Sequence, residues 1–224
     1  MRQLFSGKRF NFIKRDLEGN IAREWSNDGI DITANVVCKT CNEGWMSHLE
    51  SQHAKRAMTH LILGNKDMTI SQDQAQAIAR FAFKTAVVVD HMKRDGELFF
   101  SRTVRHHFRH TLKIPRFVQM WLCGYLRMGS GNLLPWWYED ALPDGGHLKL
   151  YTCTYLVGHF AFQVVSGDFV NVPSFRPNET FEHLTIPFWP TLGSGEKWPP
   201  ADVLRTKAQF ERFAGRWGEI RFVR

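Results

Sequence analysis

Long hydrophobic runs are missing from this sequence. None reaches the roughly 18 consecutive apolar residues that a membrane-spanning helix requires. The start of the chain, from Met1 to Lys8, also lacks the apolar core of a secretory signal. Hydrophobic residues make up 43% and charged residues 23%, as in an ordinary globular protein. We therefore expect a soluble, cytoplasmic protein without a membrane partner.

Cysteine is scarce, and its placement does not indicate a disulfide framework. Of the four cysteines, Cys38 and Cys41 form a CxxC pair, whereas Cys123 and Cys153 stand alone in strand-like apolar runs. We expect the two isolated thiols to be small buried side chains. No cysteine precedes Cys38, and no histidine precedes His48.

Acidic side chains are outnumbered by basic ones. The 224 residues include 29 Lys and Arg against 22 Asp and Glu, which gives a formal net charge of +7 with the histidines neutral. A basic surface attracts polyanions, because Lys and Arg neutralise phosphates and release their counterions. DNA and RNA are therefore candidate partners.

Turn and hydrophobic patterns divide the chain at residue 64. Two strand-like runs at 10–16 and 21–25 are typical of a hairpin. Apolar residues then recur at helical spacing from Trp45 until Gly64 ends the helix. The CxxC pair thus lies at a hairpin-to-helix junction, and we expect a first module at 1–64 followed by a domain at 65–224.

The second part is predicted to begin with two helices. Ser71 and Gln74 form a capping box, in which side chains satisfy the free backbone donors of a helix that runs to about His91. A further helix spans 101–113 and ends before Pro115, which cannot continue it.

Aromatic and β-branched residues dominate the rest. Strand-like runs lie at 117–126, 148–157, 160–165 and 169–172, and an amphipathic helix closes the chain at 203–217. The predicted fold class is α+β, with helices packed on a mostly antiparallel sheet.

The CxxC pair permits three interpretations. It can supply two of the four ligands of a structural zinc ion. It can be a redox dithiol, which needs a low-pKa thiolate at a helix start. It can also be a pair of structural thiols without a metal.

The segment VVCKTCNEGWMSHLE at 36–50 resembles the second half of the zinc knuckle in bacterial and phage HNH endonuclease-like proteins. The likeness continues through LILG at 61–64 and RFAFKTA at 80–86 to the FWP and WPP segments, so it covers most of the chain. CKTCNEGWM is its most specific motif.

The resemblance implies an incomplete treble-clef-like zinc knuckle with Cys38 and Cys41 as ligands of a structural zinc ion. An upstream CxxC and a Glu-His pair, which the family pattern places before this segment, are absent from these residues, so no catalytic residue carries over. Magnesium or another divalent cation is expected only if the protein is active. We expect Asn42 to make a hydrogen bond that orients the helix start or the loop, and Trp45 to pack the knuckle onto the following helix.

Two further groups of side chains are candidates. Arg102, Arg105, Arg109 and Lys113 recur every three or four residues, and they are predicted to form a basic stripe that tracks phosphates, with a solvated basic face as the alternative. His48 and His53 are five apart, so on an α-helix they are expected to point in different directions and not to share a metal.

The sequence thus predicts an HNH endonuclease-like protein that acts on nucleic acid, with metal-dependent phosphodiester cleavage in the full family pattern. The alternative is a non-catalytic nucleic-acid or protein binding module, which could form a homodimer through a shared zinc site.

Overall fold

The computed structural model of the chain describes residues 9–15, 21–28, 36–65, 67–91, 93, 97–141, 147–167, 174–175, 179–190, 195–215 and 220–221. The strands in chain order are β1 (Arg9–Arg15), β2 (Ile21–Asp28), β3 (Met68–Ile70), β4 (Val118–Ala141), β5 (His147–Gly167), β6 (Ser174–Phe175), β7 (Thr185–Trp189), β8 (Glu196–Trp198) and β9 (Ile220–Arg221). The α-helices are α1 (Lys39–Cys41), α2 (Lys55–Ile62), α3 (Gln72–Asp90), α4 (Arg102–Thr111), α5 (Glu179–Glu182) and α6 (Lys207–Gly215). Two further helical segments lie between α1 and α2: Asn42–Met46, which is kinked at the non-helical Gly44, and the π-helical Leu49–Ala54. The predicted α+β fold class is confirmed.

The paired strands are antiparallel, as the turn pattern predicts. The central sheet has the order β5-β4-β7, and two-stranded sheets join β1 to β2, β3 to β8 and β6 to β9. The division into separate strands at 148–157 and 160–165 is wrong, because β5 runs through both. Gly158 adopts a positive φ of 60° inside this strand, so it bends the chain without ending the pairing. The strand predicted at 169–172 lies outside the described residues.

Helix α3 has the cap that its sequence predicts. The Ser71 hydroxyl accepts the Gln74 N–H at 3.2 Å, and the Gln74 side chain accepts the Ser71 N–H at 2.9 Å. Small buried side chains along one face, including Ala79, Ala82 and Ala86, bring the helix close to its neighbours.

The end of helix α4 differs from the prediction. Leu112 adopts a left-handed conformation with φ of 53°, and its N–H bonds to the Phe108 carbonyl at 2.8 Å. The helix is therefore closed three residues before Pro115, and Lys113 lies beyond its end.

The largest core cluster forms where α2 and α3 pack on the central sheet. Phe81 of α3 meets Phe162 of β5 edge to face, with ring centroids 6.2 Å apart, and the Tyr151 hydroxyl donates to the Ala86 carbonyl at 2.9 Å. A smaller cluster under α6 includes Cys123, Phe210 and Phe213.

Residues on both sides of the predicted boundary at residue 64 share this core. Ala57, Met58 and Leu61 of α2 belong to the same cluster as the buried face of α3. A side-chain Cβ at Gly158 would stand 2.3 Å from the Ile62 carbonyl oxygen, so β5 touches the end of α2 directly. The division into modules at 1–64 and 65–224 stays a prediction.

Cys123 and Cys153 are fully buried, as expected of isolated thiols in apolar strands. Burial raises the pKa of each to about 12. Among the described helices, none combines the length and apolar character needed to cross a bilayer.

Candidate functional site

The CxxC pair lies at the start of the first helical turn. Cys38 precedes α1 in an extended conformation, and its sulfur accepts the Cys41 N–H at 3.4 Å. Cys38 is exposed and Cys41 is partly buried. Hydrogen bonds from Cys41 hold the pKa of the Cys38 thiol below its ordinary value, and the positive charge of Arg109 lowers that pKa further.

The two thiols fit half of a zinc site. Thiolates are preferred zinc ligands, and a lowered pKa favours the form that binds metal. Among the described residues, no group of three or more His, Cys, Asp and Glu side chains is placed to hold a metal ion. The part of the chain that the structure describes therefore offers Cys38 and Cys41 without a second pair of ligands.

Asn42 and Trp45 follow the CxxC pair within Asn42–Met46, on either side of the kink at Gly44. The Asn42 N–H donates to the Cys38 carbonyl at 3.0 Å, which ties it to the turn that carries the thiols. Trp45 is partly buried against the main core. Its ring meets Phe108 of α4 edge to face, with ring centroids 5.9 Å apart.

His48 and His53 lie closer together than α-helical spacing allows. Their rings meet at a centroid distance of 5.9 Å. The reason is the π-helical segment Leu49–Ala54, in which hydrogen bonds join residues five apart and bring them to the same side. The expectation that these two side chains point in different directions is wrong.

A charged pair fixes this π-helical segment to α3. The Lys84 ammonium donates to the Glu50 carboxylate, and the Lys84 side chain is only 11% exposed. The same ammonium lies 4.8 Å from the centroid of the Phe81 ring. Sequence reasoning missed this pair, whose signal is a lone lysine within the apolar run RFAFKTA.

Helix α4 is anchored by one aromatic side chain. Phe108 is 1% exposed, and it meets Phe83 of α3 at a centroid distance of 4.7 Å and Trp45 at 5.9 Å. The Ser101 hydroxyl caps the helix by accepting the Val104 N–H at 3.3 Å.

A buried carboxylate fixes the position of the segment that leads into α4. Asp90, fully buried at the end of α3, accepts the N–H groups of Phe99 and Phe100 at 3.2 and 3.0 Å. It also accepts the indole N–H of Trp137 at 2.9 Å. Three donors satisfy this carboxylate, which was not among the predicted site residues.

The predicted basic stripe is divided by the structure. Arg102 and Arg109 are exposed on α4, and Lys113 is exposed just beyond it. Arg105 is partly buried, and its guanidinium donates to the Phe100 carbonyl at 3.0 Å. Arg105 therefore holds the start of the helix, and the exposed positions of α4 are instead filled by Arg102, Thr103, His106, His107, Arg109, His110 and Thr111.

The CxxC pair and α4 thus lie side by side. Trp45 contacts Phe108, and Arg109 lies near enough to Cys38 for its charge to lower the pKa of the thiol. We call the exposed residues of α4 together with Cys38 and Cys41 the knuckle–helix surface.

Searches with protein-family models, among curated proteins and among solved structures find no match to this chain.

Proposed function

We propose that the protein acts on nucleic acid as an HNH endonuclease-like protein, with the knuckle–helix surface as its contact face. The observation that supports this is the contact between Trp45 and Phe108, which joins the CxxC segment to the exposed basic helix. The sequence resemblance supports the same proposal independently, because it rests on the CKTCNEGWM motif and not on α4.

The charges of this surface suit a phosphate backbone. Arg102, Arg109 and Lys113 are exposed, and α4 carries no acidic side chain. Each phosphate that a Lys or Arg neutralises releases counterions, so affinity falls as salt rises.

Cys38 and Cys41 are proposed as two ligands of a structural zinc ion in an incomplete treble-clef-like knuckle. Phosphodiester cleavage of the HNH type additionally needs a divalent cation, such as magnesium, and a histidine that activates water. Catalytic residues are not assigned to this chain.

A second candidate is a binding module that does not cleave, in which two chains share one zinc ion. The exposure of Cys38 favours it, since an exposed thiol is accessible to a second copy. This candidate predicts one zinc ion for two chains and no metal-dependent nicking of plasmid DNA.

Fluorescence anisotropy tests the nucleic-acid proposal. The probe is a duplex of about 20 base pairs, titrated at several salt concentrations between about 50 and 200 mM. We expect the Arg102→Gln/Arg109→Gln variant to bind more weakly and to show a shallower slope of log affinity against log salt, because two positive charges of the contact face no longer displace counterions from the nucleic acid. The matched control removes the same charge from exposed Lys197 and Arg212 and should keep the wild-type slope. Equal slopes in both variants, or no binding by the wild type, would overturn the proposal.

Metal analysis tests the zinc assignment separately. We expect purified protein to contain zinc, Cys38→Ser to lose it and Cys123→Ala to retain it. A ratio near one zinc ion for two chains in a dimer would select the shared site. A zinc-free wild-type monomer would contradict the zinc assignment and leave the nucleic-acid test unaffected.

A further inference from the structure

We infer that α4 is a recognition helix that enters the major groove of duplex DNA. This inference rests on the proposed function, since it names the class of nucleic acid that the knuckle–helix surface takes. It follows from how α4 is held, from its dimensions and from the chemistry of its exposed side.

Helix α4 is held from one side only. The structure describes α4 along its whole length, and within it Phe108 alone is fully buried. That ring is packed between Phe83 and Trp45, while Arg105 fixes the helix start through the Phe100 carbonyl. One anchoring side therefore leaves the opposite side of the helix open along its length.

The dimensions of α4 match the groove of B-form DNA. Ten residues at 1.5 Å each make a helix about 15 Å long and about 10–12 Å wide with its side chains. The major groove of B-DNA is about 12 Å wide and admits such a helix. The major groove of A-form RNA is too deep and narrow for side chains to reach its bases, so the shape selects DNA over duplex RNA.

The open side carries hydrogen-bonding groups that suit base edges. Arg102, His106, Arg109 and His110 are spaced at i, i+4, i+7 and i+8, which places them on one side of the helix, and all four are exposed. Arginine donates two hydrogen bonds to the N7 and O6 atoms of guanine, the commonest specific contact in the major groove. Lys113 follows at the helix end, where a phosphate at the groove edge would lie.

The same side carries no exposed Phe, Tyr or Trp ring, and the imidazoles of His106 and His110 are its largest exposed rings. Non-specific binding of single strands depends on exposed aromatic rings on which bases stack. Phe108 is the one Phe, Tyr or Trp of α4, and it is 1% exposed. The exposed chemistry of α4 therefore favours paired DNA, whose bases already stack on each other.

The inference is tested by measuring the affinity of the protein for three probes: duplex DNA, duplex RNA and single-stranded DNA. All three have the same mixed sequence and are about 20 nucleotides long. We expect duplex DNA to bind at least about tenfold more tightly than either alternative, the equivalent of one good base-edge contact. Methyl green, which occupies the major groove, should displace the protein, whereas netropsin in the minor groove should not. The Arg102→Gln/Arg109→Gln variant should lose most of this preference, and the Lys197→Gln/Arg212→Gln control should keep it.

The outcomes separate this inference from the proposed function. If duplex RNA or single strands bind as tightly as duplex DNA and still depend on Arg102 and Arg109, the inference fails and the proposed function stands. Displacement by netropsin alone would also overturn the groove assignment. If no probe binds, both fail together.

Discussion

The indole ring of Trp45 meets the ring of Phe108 edge to face, with centroids 5.9 Å apart and planes at 80°. The first residue belongs to the segment that follows the CxxC pair, and the second is the buried anchor of α4. Through this contact the candidate zinc ligands and the exposed basic helix become parts of one surface. Its loss would separate two features that the proposed function needs together.

Replacing Phe108 by Ala should destabilise the protein and release α4. Truncating a buried phenylalanine leaves a cavity and costs about 3–5 kcal/mol of unfolding free energy. Urea denaturation measures the loss. The exposed neighbour His107→Ala should change stability by no more than about 0.5 kcal/mol. Similar small losses for both variants would contradict the anchoring role of Phe108.

The four cysteines should divide into two reactive and two inert thiols. Cys123 and Cys153 have pKa values near 12, so at about pH 8 only about one part in ten thousand of each is thiolate. After EDTA treatment to remove any bound metal, a disulfide reagent should label Cys38 and Cys41 quickly in the folded protein, and all four in denaturant. The Cys38→Ser/Cys41→Ser variant should show no fast thiol. Fast labelling of Cys153 in the folded protein would refute its burial.

Removing the charge of Arg109 should slow alkylation of Cys38 near neutral pH. Arg109 adds to the hydrogen bonds from Cys41 in lowering the pKa of this thiol, so the reactive thiolate is present at lower pH than in a free cysteine. Arg109→Gln should therefore move the profile of alkylation rate towards higher pH. The measurement uses metal-free protein, with Arg102→Gln as the control. An unchanged profile in Arg109→Gln would contradict the contribution of Arg109 to the pKa of this thiol.

Removing one partner of the Lys84–Glu50 pair should cost more unfolding free energy than replacing both partners. Glu50→Ala leaves the largely buried Lys84 ammonium without its carboxylate and should cost about 1–3 kcal/mol. The Glu50→Ala/Lys84→Met variant should lose less than the single variant, because no unpaired charge remains. Glu43→Ala serves as control, since its pair with Lys39 spans 4.0 Å between exposed side chains. If the double variant loses as much unfolding free energy as Glu50→Ala, or more, the cost of Glu50→Ala does not come from an unpaired charge on Lys84.

Features that depend on local chemistry could be predicted from the sequence. The capping box at Ser71 and Gln74 joins residues three apart, so the residue types alone specify the hydrogen bonds. Runs of aromatic and β-branched residues between turn residues likewise predicted antiparallel strands and the α+β class. The break assigned between 157 and 160 failed because Gly158 suits either a turn or a bend within a strand.

Features that depend on distant residues could not be predicted. The spacing of basic residues in α4 did not reveal that the Arg105 guanidinium donates to the Phe100 carbonyl. This bond depends on the position of Phe100, whose N–H is bound by the distant Asp90 carboxylate. The closeness of His48 and His53 follows from π-helical winding, which residue spacing does not show. The effect of the Arg109 charge on the pKa of the Cys38 thiol likewise joins residues far apart in the chain.

Hydrogen–deuterium exchange in the presence of a saturating DNA duplex tests most directly whether the CxxC segment and α4 form one nucleic-acid contact surface. We predict that peptides covering 36–47 and 101–113 both gain protection in the wild type, and that neither does in Arg102→Gln/Arg109→Gln. Protection confined to β5 or α6, with no change at either segment, would contradict the knuckle–helix surface as the site of contact.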